Sequence, residues 1–201
     1  MISRLFLILV VVCCAILSGC AAREELIAKS ADVPTGVDLS GQWRLRVDSL
    51  DSVDRIGEAE REAAGGEESI LVVPERKLQR SRQRSSAGTL VHVFLETGSS
   101  LKVTQTLHAL FISFDRAIVE EYRFGEKREI SVGPVMADRV SGWEGESYVI
   151  ETLDKDGAKL IETYRLSEDG HKMFRTILII QNGKSQLDVE QVFDGIFEGR
   201  S

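Results

Sequence analysis

The chain has no cysteine after residue 20: Cys13, Cys14 and Cys20 are all it contains. A disulfide framework is excluded for everything downstream, and so is a zinc site built on thiolates. Basic residues are also in deficit. Lys and Arg number 25 against 32 Asp and Glu, a net charge of −7, which argues against general nucleic-acid binding. Histidine is scarce. His92, His108 and His171 are widely separated, no two share a helical i, i+4 spacing, and they read as solvent-exposed turn residues, so no metal is expected. The G-x-S-x-G elbow, the phosphate-binding Gly-rich loop and the dinucleotide fingerprint are all absent. Ser99-Ser100-Leu101-Lys102 spells S-x-x-K, but its Ser precedes a strand instead of opening a helix, and no companion motif accompanies it. Neither a catalytic residue nor a cofactor is expected.

What is present begins at the N-terminus. Arg4 is followed by Leu5–Leu17, thirteen apolar residues without a charge. At about 1.5 Å per residue this run would span about 20 Å as a helix, short of a hydrocarbon core of about 30 Å. A basic start, an apolar run of this length and small residues at its end describe a secretory signal. It closes on Leu17-Ser18-Gly19-Cys20, which resembles the lipobox of bacterial lipoproteins. The resemblance implies a signal peptide over 1–19, cleavage before Cys20, and acylation of Cys20 by diacylglycerol and commonly a further chain such as palmitate. Two or three chains make a durable membrane anchor where one would not. Ala at position 21 points, by the sorting behaviour of that family, to the periplasmic face of the outer membrane. Residues 20–39 read as the anchor and a flexible tether. The mature net charge would be about −8, against broad attachment to anionic lipid.

The domain over 40–201 is predicted all-β. Gly41–Asp48 alternates, with Trp43, Leu45 and Val47 on one face. Residues 49–88 form an excursion. They hold a weak helical stripe over Asp51–Ala64, a short strand at Ser69–Val73 and five basic residues, Arg76, Lys77, Arg80, Arg82 and Arg84. From Leu90 onward, short runs rich in Val, Ile, Thr, Tyr and Phe follow one another, with Met136–Trp143 the least marked of them. Asp156-Gly157, Asp169-Gly170 and Asn182-Gly183 separate the last four as hairpin turns thirteen residues apart, and Asn182 is the only Asn in the chain. No helix-length segment divides these strands, which excludes a parallel βαβ architecture. Eight or more antiparallel strands must close or split, and closure removes exposed edges. The triplet Gly41-Gln42-Trp43 resembles the G-x-W of lipocalins and other calycins. With the meander over 41–194 it implies a lipocalin-like barrel whose end Trp43 plugs.

Several strands carry a polar residue within an apolar alternating face. Gln105, Glu120, Glu162 with Tyr164, Thr176 and Gln191 are thereby expected in the lumen. Polar groups inside an apolar cavity are what orients an amphiphile. A filled barrel with a self-satisfied polar network accounts for the same pattern. The basic run is a candidate contact for an envelope protein or an anionic glycan, or a solvated loop. Trp143 reads as a packed anchor at a turn. The leading function is non-enzymatic binding of a small amphiphile by an envelope-anchored barrel. The alternative is an interaction or assembly factor with a filled barrel, and an enzyme stands third.

Overall fold

The computed structural model describes residues 25–63, 90–115 and 118–196. The signal segment, Cys20, the predicted strand Ser69–Val73 and the basic run Arg76–Arg84 lie outside these residues.

Ten strands form one antiparallel sheet. They are β1 (Gly41–Leu45), β2 (Ser100–Gln105), β3 (Ala109–Phe114), β4 (Glu120–Arg123), β5 (Glu126–Val132), β6 (Val135–Glu144), β7 (Ser147–Asp154), β8 (Lys159–Leu166), β9 (Lys172–Gln181) and β10 (Lys184–Gly195). Their order is β4-β3-β2-β1-β10-β9-β8-β7-β6-β5. The two outermost strands are thus consecutive in the chain, and the sheet curls into a nearly closed barrel, the lipocalin-like meander expected. No ladder pairs β4 with β5 among the described residues: Arg128 Nη2 of β5 donates to Glu121 O of β4 at 2.8 Å, and Gly125 N, in the turn between them, donates to Ser141 O of β6 at 2.8 Å. The Asn182-Gly183 turn has φ of 51° and 71°, the left-handed pair that matches a two-residue hairpin.

The excursion begins with helix α1 (Leu50–Ala63), one residue from the expected start. Its stripe is short because only Ile56 is fully buried, with Val53 and Ala59 half-buried beside it. Leu90–Phe94, expected as the onset of β structure, is a 3-10 turn. Ile56, Val91, Phe94 and Leu95 pack on Leu160, Ile177, Ile179 and Val189 and close one end of the barrel, called the mouth below. Leu39, Trp43, Trp143 and Tyr148 fill the opposite end. Of the expected strand over 117–124, β4 spans Glu120–Arg123, and Ile118 and Val119 are exposed before it.

Of the expected flexible tether, residues 25–39 lie against the barrel as a strap. Ser30 bridges Trp143 antiparallel, with Trp143 N donating to Ser30 O at 2.9 Å. Leu26 is buried on Val140 and Leu153. Lys29 Nζ pairs with Glu144 and, at 2.7 Å, with Glu151. Gly142 makes the approach feasible, since a Cβ there would collide with the Ser30 carbonyl oxygen. The β4–β5 gap leaves the β6 edge unpaired beyond Ser141, and the strap supplies it with a partner.

Candidate functional site: a buried polar cluster in the barrel

The barrel interior holds two arginines, Arg139 on β6 and Arg175 on β9, both buried. Arg175 is 0% exposed. Its Nε and Nη2 donate to Glu162 Oε1 at 3.2 and 2.5 Å, its Nη1 to Gln191 Oε1 at 3.1 Å, and Nη2 also to the backbone oxygen of Glu96 at 2.7 Å. The guanidinium stacks over Phe114, 4.4 Å from the ring centre. Tyr164 O–H donates to the same Glu162 oxygen at 3.0 Å. Gln191 Nε2 reaches Ser52 Oγ at 3.2 Å, which ties α1 into the cluster.

Arg139 repeats the arrangement nearer the β4–β5 gap. It pairs through Nη1 with Glu120 and donates from Nε to Thr152 Oγ1 at 2.9 Å. Its guanidinium lies 5.2 Å from the Tyr122 ring centre. Tyr122 O–H donates to the other Glu120 oxygen at 2.7 Å.

A charge removed from water needs both a partner and hydrogen bonds. Both guanidiniums have them. Burial opposes their charge, but the facing groups prevail and hold both pKa values above the ordinary value. Tyr164 and Glu162 do this at Arg175, and Tyr122 and Glu120 at Arg139. Burial keeps the Tyr122 and Tyr164 hydroxyls protonated, well above the usual phenol range. Glu96 stands beside both pairs. Burial first, then Glu120 and Glu162, raise its pKa against the pull of the two arginines.

The sequence-derived lumen residues divide as follows. Glu120, Glu162, Tyr164 and Gln191 face the interior and belong to this cluster. Gln105 is half-buried and works at the closed end, where it accepts from Leu39 N at 2.9 Å and donates to Val37 O at 3.0 Å. Thr176 is a correction. It stands on the outer side of β9, opposite Glu190 and Thr163, while its neighbours Arg175 and Ile177 point inward. The hairpin explains the error. An uninterrupted Asn182-Gly183 turn would set Gln191 opposite Phe174 and Val189 opposite Thr176. A bulge between Ser185 and Leu187 shifts the ladder by one, so Gln191 meets Arg175. Both faces of Ile177–Ile180 are aliphatic, so alternation gives no warning.

Trp43 is buried at the closed end, its Nε1 donating to Leu39 O at 3.3 Å. Trp143 packs edge-on against Tyr148 and Phe124, 5.2 and 5.7 Å between ring centres, and its Nε1 has no hydrogen-bond partner. His108 and His171 are exposed, as expected. His92 is not: it is half-buried in the 3-10 turn, and burial lowers its pKa. No cluster of His, Cys, Asp and Glu fit for a metal occurs among the described residues.

A cavity of about 80 Å³ touches the cluster, lined by Phe94, Glu96, Glu120, Ile130 and Arg139. Two larger clefts lie away from it. One of about 360 Å³ borders Gln42, Ser100 and Lys102, and one of about 470 Å³ lies by Gly36, Glu146 and Ser167 at the closed end.

No family model matches the sequence, and no curated protein matches it. Among solved structures the chain is similar to the REP1-NXSQ fatty acid transporter, at 10% identity and a TM-score of 0.46, over 81% of this chain and 98% of that one. It is similar also to the apo form of lipid binding protein 8 from Caenorhabditis elegans (10% identity, TM-score 0.44, 81% and 100% covered). A luciferase domain from the dinoflagellate Lingulodinium polyedrum gives 13% identity and a TM-score of 0.48, over 84% of this chain and 45% of that one.

Proposed function

We propose that this chain is an envelope lipoprotein, acylated at Cys20 and held on the periplasmic face of the outer membrane, whose barrel binds a small amphiphile without catalysing a reaction. The observation that carries the binding reading is the pair of buried, hydrogen-bonded guanidiniums and their polar partners among apolar side chains, beside a cavity at the β4–β5 gap. An acidic or hydrogen-bonding head group matches their donors, and the aliphatic residues of the mouth suit a hydrocarbon tail. Room must be made. About 80 Å³ holds a few water molecules at most. Binding therefore displaces the 90–96 segment. That step exchanges the Glu96 carbonyl on Arg175 for a ligand oxygen and vacates the space of Phe94 and Leu95.

A second reading has its own support. Glu162, Arg175, Gln191 and Ser52 already satisfy one another, as the filled barrel of an interaction factor requires. Contact with a protein or an anionic glycan through Arg76, Lys77, Arg80, Arg82 and Arg84 belongs with that reading. Native mass spectrometry of the mature domain without its lipid separates the two. A one-to-one adduct, co-purified or formed with a medium-chain or long-chain fatty acid, is expected. The bare mass after incubation with both leaves the filled barrel as the function.

A further inference from the structure

Exposed large apolar side chains are more numerous at the mouth than at the closed end, where Leu107 (83% exposed) and Ile196 stand on separate segments. Six exposed large apolar side chains stand at the mouth, Val47, Val93, Ile118, Val119, Val132 and Met136. Ile118 and Val119 are 75% and 60% exposed. They follow an arc that starts where β1 ends, passes the β3–β4 connection and the 3-10 turn, and finishes on the β5–β6 hairpin. The rest of the rim is polar, with Lys155-Asp156-Gly157 after β7 and Asn182-Gly183-Lys184 after β9. Single exposed aliphatics are ordinary, but an arc of them on one half of a rim marks an interaction surface.

The strap gives the partner. Strand β6 runs from the mouth at Val135 to the closed end at Glu144. Ser30 sits on Trp143 near the closed end, Leu26 on Val140 and Leu153, and Glu25 reaches Lys127 at 3.3 Å. The Ser30 bridge itself runs antiparallel to β6, but between Ser30 and Leu26 the chain leaves that direction, so Leu26 and Glu25 lie nearer the mouth than Ser30 does. Cys20 lies six residues before Leu26. Six residues extend over at most about 20 Å, and the five strand positions from Val140 back to Val135 cover about 17 Å. A lipid on Cys20 thus keeps the apolar rim within reach of the bilayer surface.

We propose that the apolar half of the mouth rim docks on the lipid bilayer that holds Cys20, so that the barrel stands mouth-down on the membrane. This rests on the acylation of Cys20 proposed above. With a mature net charge of about −8, the contact is one of apolar insertion and not of attraction to anionic lipid, and it is insensitive to salt. Mouth-down docking sets the entrance to the polar cluster against the phase in which an amphiphile is dissolved.

The mature chain, with Cys20 as its one thiol, can be coupled to a maleimide lipid in phosphatidylcholine vesicles and followed by hydrogen–deuterium exchange. Amides of Val132–Met136 and Ile118–Val119 are expected to exchange severalfold more slowly on vesicles than free, at low and high salt alike, while the Thr106–His108 turn at the closed end is unchanged. The double variant Val132→Asp, Met136→Asp should lose this protection and stay tethered. Equal exchange at the two ends, or protection at Thr106–His108 instead, overturns the proposal. Because the tether is chemical, the result does not depend on cellular acylation, which the N-terminal mass of membrane-extracted protein decides separately.

Discussion

Substituting Glu162 by Gln removes the carboxylate against which the Arg175 guanidinium is held, in a place where water cannot replace it. Breaking a buried pair from one side costs about 3–5 kcal/mol, because the surviving charge is left uncompensated. Arg175→Met is expected to cost a similar amount, since Glu162 must then be buried ionised or take up a proton, and Gln191 Oε1 and the Glu96 carbonyl lose their donor. The double variant contains neither charge. The amide that Glu162→Gln introduces can still accept from Tyr164, and what is left is the unsatisfied Gln191 and Glu96 oxygens, at about 1–3 kcal/mol each. The double variant should therefore be more stable than Arg175→Met and cost clearly less than the two single variants together, with a coupling of several kcal/mol between the sites. Natural domains have about 5–15 kcal/mol in total, so the single variants remain measurable. Urea unfolding at neutral pH, followed by the fluorescence of the buried Trp43 and Trp143, reads all four species. If the cost of the double variant equals the sum of the singles, the two side chains do not depend on each other and the account of the cluster is wrong.

Other parts of the molecule respond to pH, to added volume and to loss of the thiol. Burial holds the His92 pKa below its ordinary 6.5, so the unfolded chain binds the extra proton first. The stability that depends on neutral His92 is present above that value and is lost as pH falls through it toward the lowered folded value. His92→Phe should flatten this part of the urea-midpoint profile, and an unchanged slope would contradict it. Glu96 acts in the opposite sense, because a raised carboxyl pKa contributes stability at low pH that is lost as pH rises. Gly142→Val should push Ser30 off the β6 edge, at about 1–3 kcal/mol, and open the bond after Lys29 to trypsin while the barrel stays folded. A cleavage rate equal to that of the parent would show that the strap tolerates the added side chain. Cys20→Ser should abolish lipid labelling and membrane retention, and a variant still membrane-bound with an unchanged N-terminus would exclude the lipobox reading.

The meander was legible because its signals are local. Alternation over Leu101–Gln105 and Leu187–Phe193, and φ-permissive pairs such as Asn182-Gly183, act within a hairpin and need no distant partner. The same locality placed Glu120, Glu162, Tyr164 and Gln191 inside, since each lies on a strand whose other inward positions are apolar. The two arginines that organise them were not legible. An Arg in a strand reads as a solvent-facing residue until a buried carboxylate from another strand stands beside it: Arg175 meets Glu162 across the β8–β9 pairing, and Arg139 meets Glu120 only through closure of the sheet. The register of β9 was decided the same way. One residue of bulge at Ser185–Leu187 exchanges Thr176 for Arg175 in the interior, and no local pattern separates the two faces of an aliphatic run. The strap shows the same limit from the other side. Residues 25–39 have the composition of a linker, and only the gap between β4 and β5, a property of the closed barrel, provides the free β6 edge and the Val140–Leu153 seat that order them. By itself, then, the sequence determined the strand order, the turns and most of the inward polar positions. The tertiary structure alone decided the pairing of buried charges, the face of β9 and the docking of the strap, because each depends on strand register or on which groups lie opposite one another in the folded sheet.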